Sequence, residues 1–118
     1  MRITTLTGLA VAGTVAAIGV APAYAGGTTL TGTVGPEDTI TLAAGGHKIT
    51  SLKAGAYTFV IADKANDHNF HLSGPGVNKA TSIAATGRSV WHVTLRKGAY
   101  RFVCDPHSSF MKGSFTVS

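Results

Sequence analysis

From Gly26 onward, apolar and polar residues alternate in short runs, and glycine-containing turns break the runs apart. "TTLTGTV" and "DTITL" flank the turn "GPE", and "AGGHK" marks another turn. In "AYTFVIA", Tyr57, Phe59 and Ile61 share one face. In "HNFHLS", His68, Phe70 and Leu72 fall opposite Asn69, His71 and Ser73, and "GPG" at 74–76 ends the run. "SVWHVTL" sets Trp91, Val93 and Leu95 against Val90, His92 and Thr94. "AYRFVC" groups Tyr100, Phe102 and Cys104, and "GSFTV" aligns Phe115 with Val117. Successive side chains of a strand point to opposite faces, so this period of two predicts strands. Close turn spacing predicts that they pair antiparallel. About seven such runs in a chain of this size predict an all-β fold, a Greek-key β-sandwich.

Two windows, "HKITSLKAGAYTF" and "SVWHVTLRKGAYRFV", share the pattern Leu-(Lys/Arg)-x-Gly-Ala-Tyr. Nothing outside the window matches, so the pattern predicts two similar hairpins rather than an internal repeat.

The first 25 residues read differently. Arg2 is the only charged residue before Glu37, residues 6–20 are apolar or small, and "APAYAGG" supplies a small-x-small cleavage site at Ala23-Tyr24-Ala25. One positive charge, an apolar stretch and such a site predict a secretory signal peptide over 1–25 and one domain over 26–118. Glycines and threonines inside the stretch weaken the alternative, an uncleaved anchor. No later apolar run is long enough to span a bilayer, so the expected product is exported, periplasmic or extracellular, without membrane insertion.

Charge and composition narrow the function classes. Loss of Arg2 takes the formal charge from +5 to +4. The remaining basic residues are dispersed, whereas a nucleic-acid groove needs them clustered to track phosphates. No nucleic acid is expected as a partner; a mildly basic surface favours encounter with acidic ones. Ser-His-Asp catalysis has no support beyond composition, and no phosphate-cradling glycine loop precedes a helix.

The single cysteine, Cys104, changes the picture most. An unpaired thiol in an oxidising compartment is a buried inert group, half of an intermolecular disulfide, or a metal-bound thiolate. Its surroundings, "CDPHSSFM", place His107 and Met111 just downstream. Sulfur beside imidazole suits a soft or borderline metal. A structural zinc site wants four strong ligands and usually several cysteines. Two histidines, one cysteine and a distant methionine form the blue-copper set instead, and that set needs one more histidine. Cys104 shares its face with Tyr100 and Phe102, so the partner must also point into the core. His68 aligns with Phe70 and Leu72. His71 lies on the polar side, His92 on the solvent side of its strand, and His47 in a glycine turn. Side-chain direction therefore nominates His68.

"DHNFHL" followed by "YRFVCDPHSSFMKGSFTV" resembles the cupredoxins, the small blue-copper proteins typified by plastocyanin, pseudoazurin, amicyanin and azurin. The resemblance implies a copper site with His68, Cys104, His107 and Met111 as ligands. It also implies that Asn69 ties the two ligand segments together and donates its amide to the cysteine sulfur. One departure is the loop, C-x₂-H-x₃-M, one residue shorter before the methionine than in plastocyanin and pseudoazurin and one longer than in amicyanin. By resemblance the protein is a monomer with one copper ion. It passes single electrons between redox protein partners in transient contacts, and it is not an enzyme. Pro106, Phe110 and Pro75 are candidates for an apolar patch around His107. The competing class is a copper protein for storage, delivery or sensing.

Overall fold

The protein is represented by a computed structural model that describes residues 27–118; the signal peptide read over 1–25 and its junction at Gly26 lie outside the described residues. Ten strands follow in order: β1 Thr29–Val34, β2 Ile40–Ala44, β3 His47–Lys48, β4 Ser51–Leu52 and β5 Gly55–Asp63, then β6 His71–Gly74, β7 Val77–Ala80, β8 Gly87–Leu95, β9 Gly98–Val103 and β10 Lys112–Val117. They form two five-stranded sheets, β3-β2-β1-β5-β8 and β4-β10-β9-β6-β7. The all-β sandwich read from the alternation is the observed fold.

Seven of these strands are the runs named above; β3, β4 and β7 add to them. Those three are two, two and four residues long, and only Leu52 among them is buried. Strands so short, with almost no inward face, leave no alternation to read. Most pairs are antiparallel, but β1 runs parallel to β5 and β10 parallel to β4. A period of two is the same in both directions, so the sequence does not separate them.

The core is where the two inner faces meet. Leu30, Phe59 and Ile61 from one sheet and Leu72, Tyr100, Phe102 and Phe115 from the other are buried, with Phe70 just ahead of β6. Phe70 stacks on Phe102 with ring centroids 5.5 Å apart, and Tyr100 stacks on Phe115 at 5.2 Å. Each such ring contributes about 1.5–3 kcal/mol by leaving water, and each stacked pair about 0.5–1.5 kcal/mol beyond that. Gly113 faces Phe102 across β9 and β10, and a Cβ there would lie 2.3 Å from the Phe102 ring. The missing side chain is what lets the ring lie flat over β10.

The two Leu-(Lys/Arg)-x-Gly-Ala-Tyr windows are not hairpins. β4 and β5 belong to different sheets, as do β8 and β9, so each window is an arch that carries the chain across the sandwich. In each arch a glycine opens the new strand with positive φ, 154° at Gly55 and 147° at Gly98. Two residues later a tyrosine hydroxyl donates to the carbonyl four residues upstream, Tyr57 to Lys53 at 2.6 Å and Tyr100 to Arg96 at 2.8 Å. This is the tyrosine corner of Greek-key sandwiches, built twice. Hairpins and arches draw on the same turn residues, which is why local sequence suggested the wrong one.

The register of the second sheet positions the site. β9 lies between β10 and β6. Leu72 faces Phe102 and His71 faces Val103 across antiparallel β6 and β9. The residues just before β6 therefore meet the residues just after β9, which brings His68 and Asn69 to Cys104.

Candidate metal centre

Cys104 directly follows β9, and Pro106 lies in a single 3-10 turn, Asp105–His107. The His107 amide donates to the Cys104 carbonyl at 3.0 Å. Side chains three residues apart eclipse in a 3-10 turn, so the C-x₂-H spacing puts sulfur and imidazole on one side. The loop is closed at its neck: the Met111 amide donates to the His107 carbonyl at 2.8 Å and the Cys104 amide to the Met111 carbonyl at 3.0 Å. β10 then pairs with β9 from Lys112 opposite Val103.

Three donor atoms converge above this loop. Cys104 Sγ lies 3.6 Å from His68 Nδ1 and 3.6 Å from His107 Nδ1, and the two nitrogens are 3.1 Å apart. A triangle of those sides has its centre about 2 Å from each corner, the length of a transition-metal bond to nitrogen and slightly short of one to sulfur. Cys104 and His68 are buried, and His107 is half-buried. The imidazoles meet edge to face at 79°, so their Nδ1 atoms turn inward together. His68 Nε2 lies 3.4 Å from the exposed Asp38 carboxylate. Met111 is buried beside this loop. One thiolate and two imidazoles in a trigonal plane fit copper better than zinc, which would draw a fourth strong ligand.

Asn69 joins the two ligand segments. Its backbone amide donates to Cys104 Sγ at 3.4 Å. Its side chain clamps Asp105 in both directions: Nδ2 donates to Oδ2 at 2.9 Å, and Oδ1 accepts from the Asp105 amide at 2.7 Å. Nδ2 also reaches the Thr81 carbonyl at 3.3 Å. Thr81 Oγ1 accepts from the Phe70 amide at 2.8 Å and donates to Asp63 at 3.3 Å, so the 68–70 segment is anchored to the end of β5. Burial raises the Asp63 carboxyl above its ordinary value, against hydrogen bonds from the Ala65 amide and Thr81. Asp105 is also bound by His71, whose Nδ1 lies 2.8 Å from Oδ1 and 3.1 Å from Oδ2. Burial pushes the Asp105 carboxyl up, but bonds from Asn69 and His71 and the His71 charge outweigh it, and the group ends below its ordinary value. The Asp105 bond, followed by that of Asn78, raises His71 above the ordinary 6.5.

The structure brings together His68, Cys104 and His107, with Asn69 against the sulfur. It corrects the reasoning that selected them. "HNFHLS" is not one strand: β6 begins at His71, and His68, Asn69 and Phe70 are all buried. Alternation does not hold in an irregular segment packed on both sides, so Asn69, read as facing the polar side, is inside. His71, read as a surface residue, is half-buried and bonded at both ring nitrogens. His47 and His92 are exposed as expected. Pro75 is not near His107. It contacts Gly98, at the opposite end of β9 from Cys104. Asp105 was missed: its one signal was an acid beside the lone cysteine, and no sequence spacing links it to Asn69 and His71.

Comparison with known proteins agrees with this geometry. A family model described as copper binding proteins, plastocyanin/azurin family, matches residues 34–118. Among solved structures, reduced rusticyanin is similar at 17% identity and TM-score 0.58, over 81% of this chain and 83% of that one. Rusticyanin from Thiobacillus ferrooxidans is similar at 19% identity and TM-score 0.52, over 81% and 80% of the two chains. At these identities the likeness shows the fold alone. No curated protein matches significantly. The sandwich and its sulfur–imidazole triangle define a cupredoxin, a blue-copper protein with a single copper ion as cofactor. The chain belongs to the plastocyanin/azurin family of copper-binding proteins. No helix among the described residues is long and apolar enough to cross a membrane.

Proposed function

We propose that the protein is an exported, monomeric carrier of single electrons between protein partners, and not an enzyme. The supporting observation is the triangle of Cys104 Sγ, His68 Nδ1 and His107 Nδ1, with sides of 3.1–3.6 Å. His68, Cys104 and His107 would hold the copper, and Met111, buried at the neck of the loop, would add a weaker sulfur ligand. Bound copper provides the one-electron couple, Cu(II) to Cu(I).

The chain's own residues do the rest. The closed loop neck and the Asn69–Asp105 clamp fix the donors, so little has to move when charge changes. The Asn69 amide gives the sulfur a fixed hydrogen-bond donor that stabilises added negative charge. Burial of Cys104 and His68 keeps water from the sulfur. His107 is the half-buried ligand, and its ring packs against Phe110 at 5.4 Å, which is 57% exposed. This edge, with exposed Pro106 beside it, is the port where a redox partner docks transiently. Small contacts suffice for such encounters.

The test is absorption of the purified Cu(II) protein. One equivalent should give an intense blue thiolate-to-copper band. Cys104→Ser and His68→Ala should abolish it, while His71→Ala should retain a blue band. A colourless wild-type complex, or a requirement for two metal ions, would overturn the copper assignment. A blue protein that does not cycle reversibly with external redox partners would overturn the carrier role.

A further inference from the structure

We propose that His71 is a positioning residue for the Cys104 thiolate, acting through Asp105 and Asn69, and that its positive charge helps set the reduction potential of the site. This rests on the copper reading above. The contacts form one unbroken line. His71 Nδ1 meets the Asp105 carboxylate at 2.8 Å, Asp105 and Asn69 exchange bonds of 2.9 and 2.7 Å, and the Asn69 amide meets Cys104 Sγ at 3.4 Å. None of the intermediate residues is a metal donor in the triangle.

The bonding pattern favours the charged form of His71. A carboxylate only accepts hydrogen bonds, so Nδ1 must donate to Asp105. The other ring nitrogen, Nε2, lies 2.5 Å from Asn78 Oδ1, also an acceptor. Both ring nitrogens donate only in the imidazolium. The site is therefore built around a cationic His71, and the raised proton affinity of His71 follows from the same two bonds. The groups facing it are Asp105 in the ligand loop, Asn78 across on β7 and Arg101 on β9, whose charge opposes that of His71.

Two consequences act in the same direction. A reduced site carries one positive charge less than an oxidised one, so a nearby cation favours reduction and a bare carboxylate opposes it. His71 neutralises Asp105, the residue next to the thiolate, and so raises the potential. It also engages the carboxylate, which keeps Oδ2 on Asn69 and the Asn69 amide on sulfur. A hydrogen bond to sulfur stabilises its more negative, reduced state. Losing the proton or the side chain of His71 should lower the potential.

Wild type, His71→Asn and His71→Leu decide the matter. Asn keeps a donor near the position of Nδ1 without charge; Leu keeps neither. The His71 ring and the Asn69 amide are followed by NMR against pH in metal-free and Cu(I) protein, and the potential is followed against pH by voltammetry. The wild-type potential should fall across the titration measured on the His71 ring, and that step should vanish in both variants. The Asn69 amide resonance should move with His71 in the metal-free protein, keep near its place in His71→Asn and shift in His71→Leu. A potential that is flat while His71 titrates, or a step that survives in both variants, would overturn the proposal. If wild type forms no blue site, the copper reading fails by itself. The metal-free titration still decides the linkage: an Asn69 amide indifferent to His71 refutes it.

Discussion

Replacing Tyr100 by Phe removes one oxygen from the arch between β8 and β9 and leaves the ring in place. That oxygen accepts from the Arg96 amide at 3.0 Å and donates to the Arg96 carbonyl at 2.8 Å, with the Pro75 carbonyl at 3.2 Å. The ring is 2% exposed and stacked on Phe115, so the variant keeps its apolar contacts. A hydrogen bond contributes about 0.5–1.5 kcal/mol net. Two lost bonds then cost about 2 kcal/mol, partial access of water to Arg96 limiting the penalty for the stranded groups. For a domain of this size that lowers Tm by about 8–16 °C. Urea unfolding of the metal-free protein measures it, with an unchanged m value showing that the compactness of both states is kept. The blue band of the copper form should be unaltered, since the corner lies at the opposite end of β9 from Cys104. A loss below about 0.5 kcal/mol would show that the corner does not hold the arch. A changed spectrum would show that the two ends of β9 are coupled.

Met111→Leu should keep the blue band and raise the reduction potential, because losing an axial donor favours Cu(I); an unchanged potential in voltammetry would place Met111 outside the site. Gly113→Ala puts a Cβ 2.3 Å from the Phe102 ring. Phe102 stacks on Phe70, so the ring has little room to yield, and thermal unfolding should show a loss of about 1–3 kcal/mol. The His71–Asp105 pair sets a pH window for the metal-free protein. His71 is raised above 6.5, so its contribution is complete below that pH and is lost as pH rises through the higher folded value. Asp105 is lowered from 3.8, so its contribution is complete above that pH and is lost as pH falls through the lower folded value. The pair should stabilise most between those limits, and denaturation profiles of His71→Asn should lack the alkaline decline; an unaltered decline would exclude His71 as its source.

What the sequence showed depended on whether the physics was local. Period-two runs with large apolar residues, such as Tyr57-Phe59-Ile61, report burial directly, and those strands are where the alternation put them. Val77–Ala80 has no buried residue and gave no signal. The Cys104–His107 spacing was legible because a 3-10 turn converts it into geometry without help from the rest of the chain. His68 was selected for the right face by an inapplicable rule: its segment is irregular, and it faces Cys104 because β6 and β9 are in register. Asp105 and His71 are 34 residues apart, and only that same register makes them partners. The tyrosine corners were visible as a repeated pattern, but whether the chain turns back or crosses over is decided by sheet assignment, a property of the whole fold.

The same register explains how the site can be rigid although its donors come from two segments and neither donor segment is a strand. His68 lies in an irregular arm and His107 in a single turn, places where side chains ordinarily wander. Each segment is fixed at a strand boundary: the arm where β6 begins opposite Val103, the loop where β10 begins opposite the same residue. Between these points Asn69 and Asp105 exchange hydrogen bonds, so neither segment moves without the other. Thr81 adds a tie from the arm to Asp63 at the end of β5, in the opposite sheet. The donors are thus held by a closed frame spanning both sheets, independent of the ion itself. A frame that fixes three donors before binding resists the different geometries that Cu(II) and Cu(I) would choose alone. It also keeps the only thiol of the chain at 0% exposure. Burial and copper together account for a single cysteine held unpaired inside the sandwich.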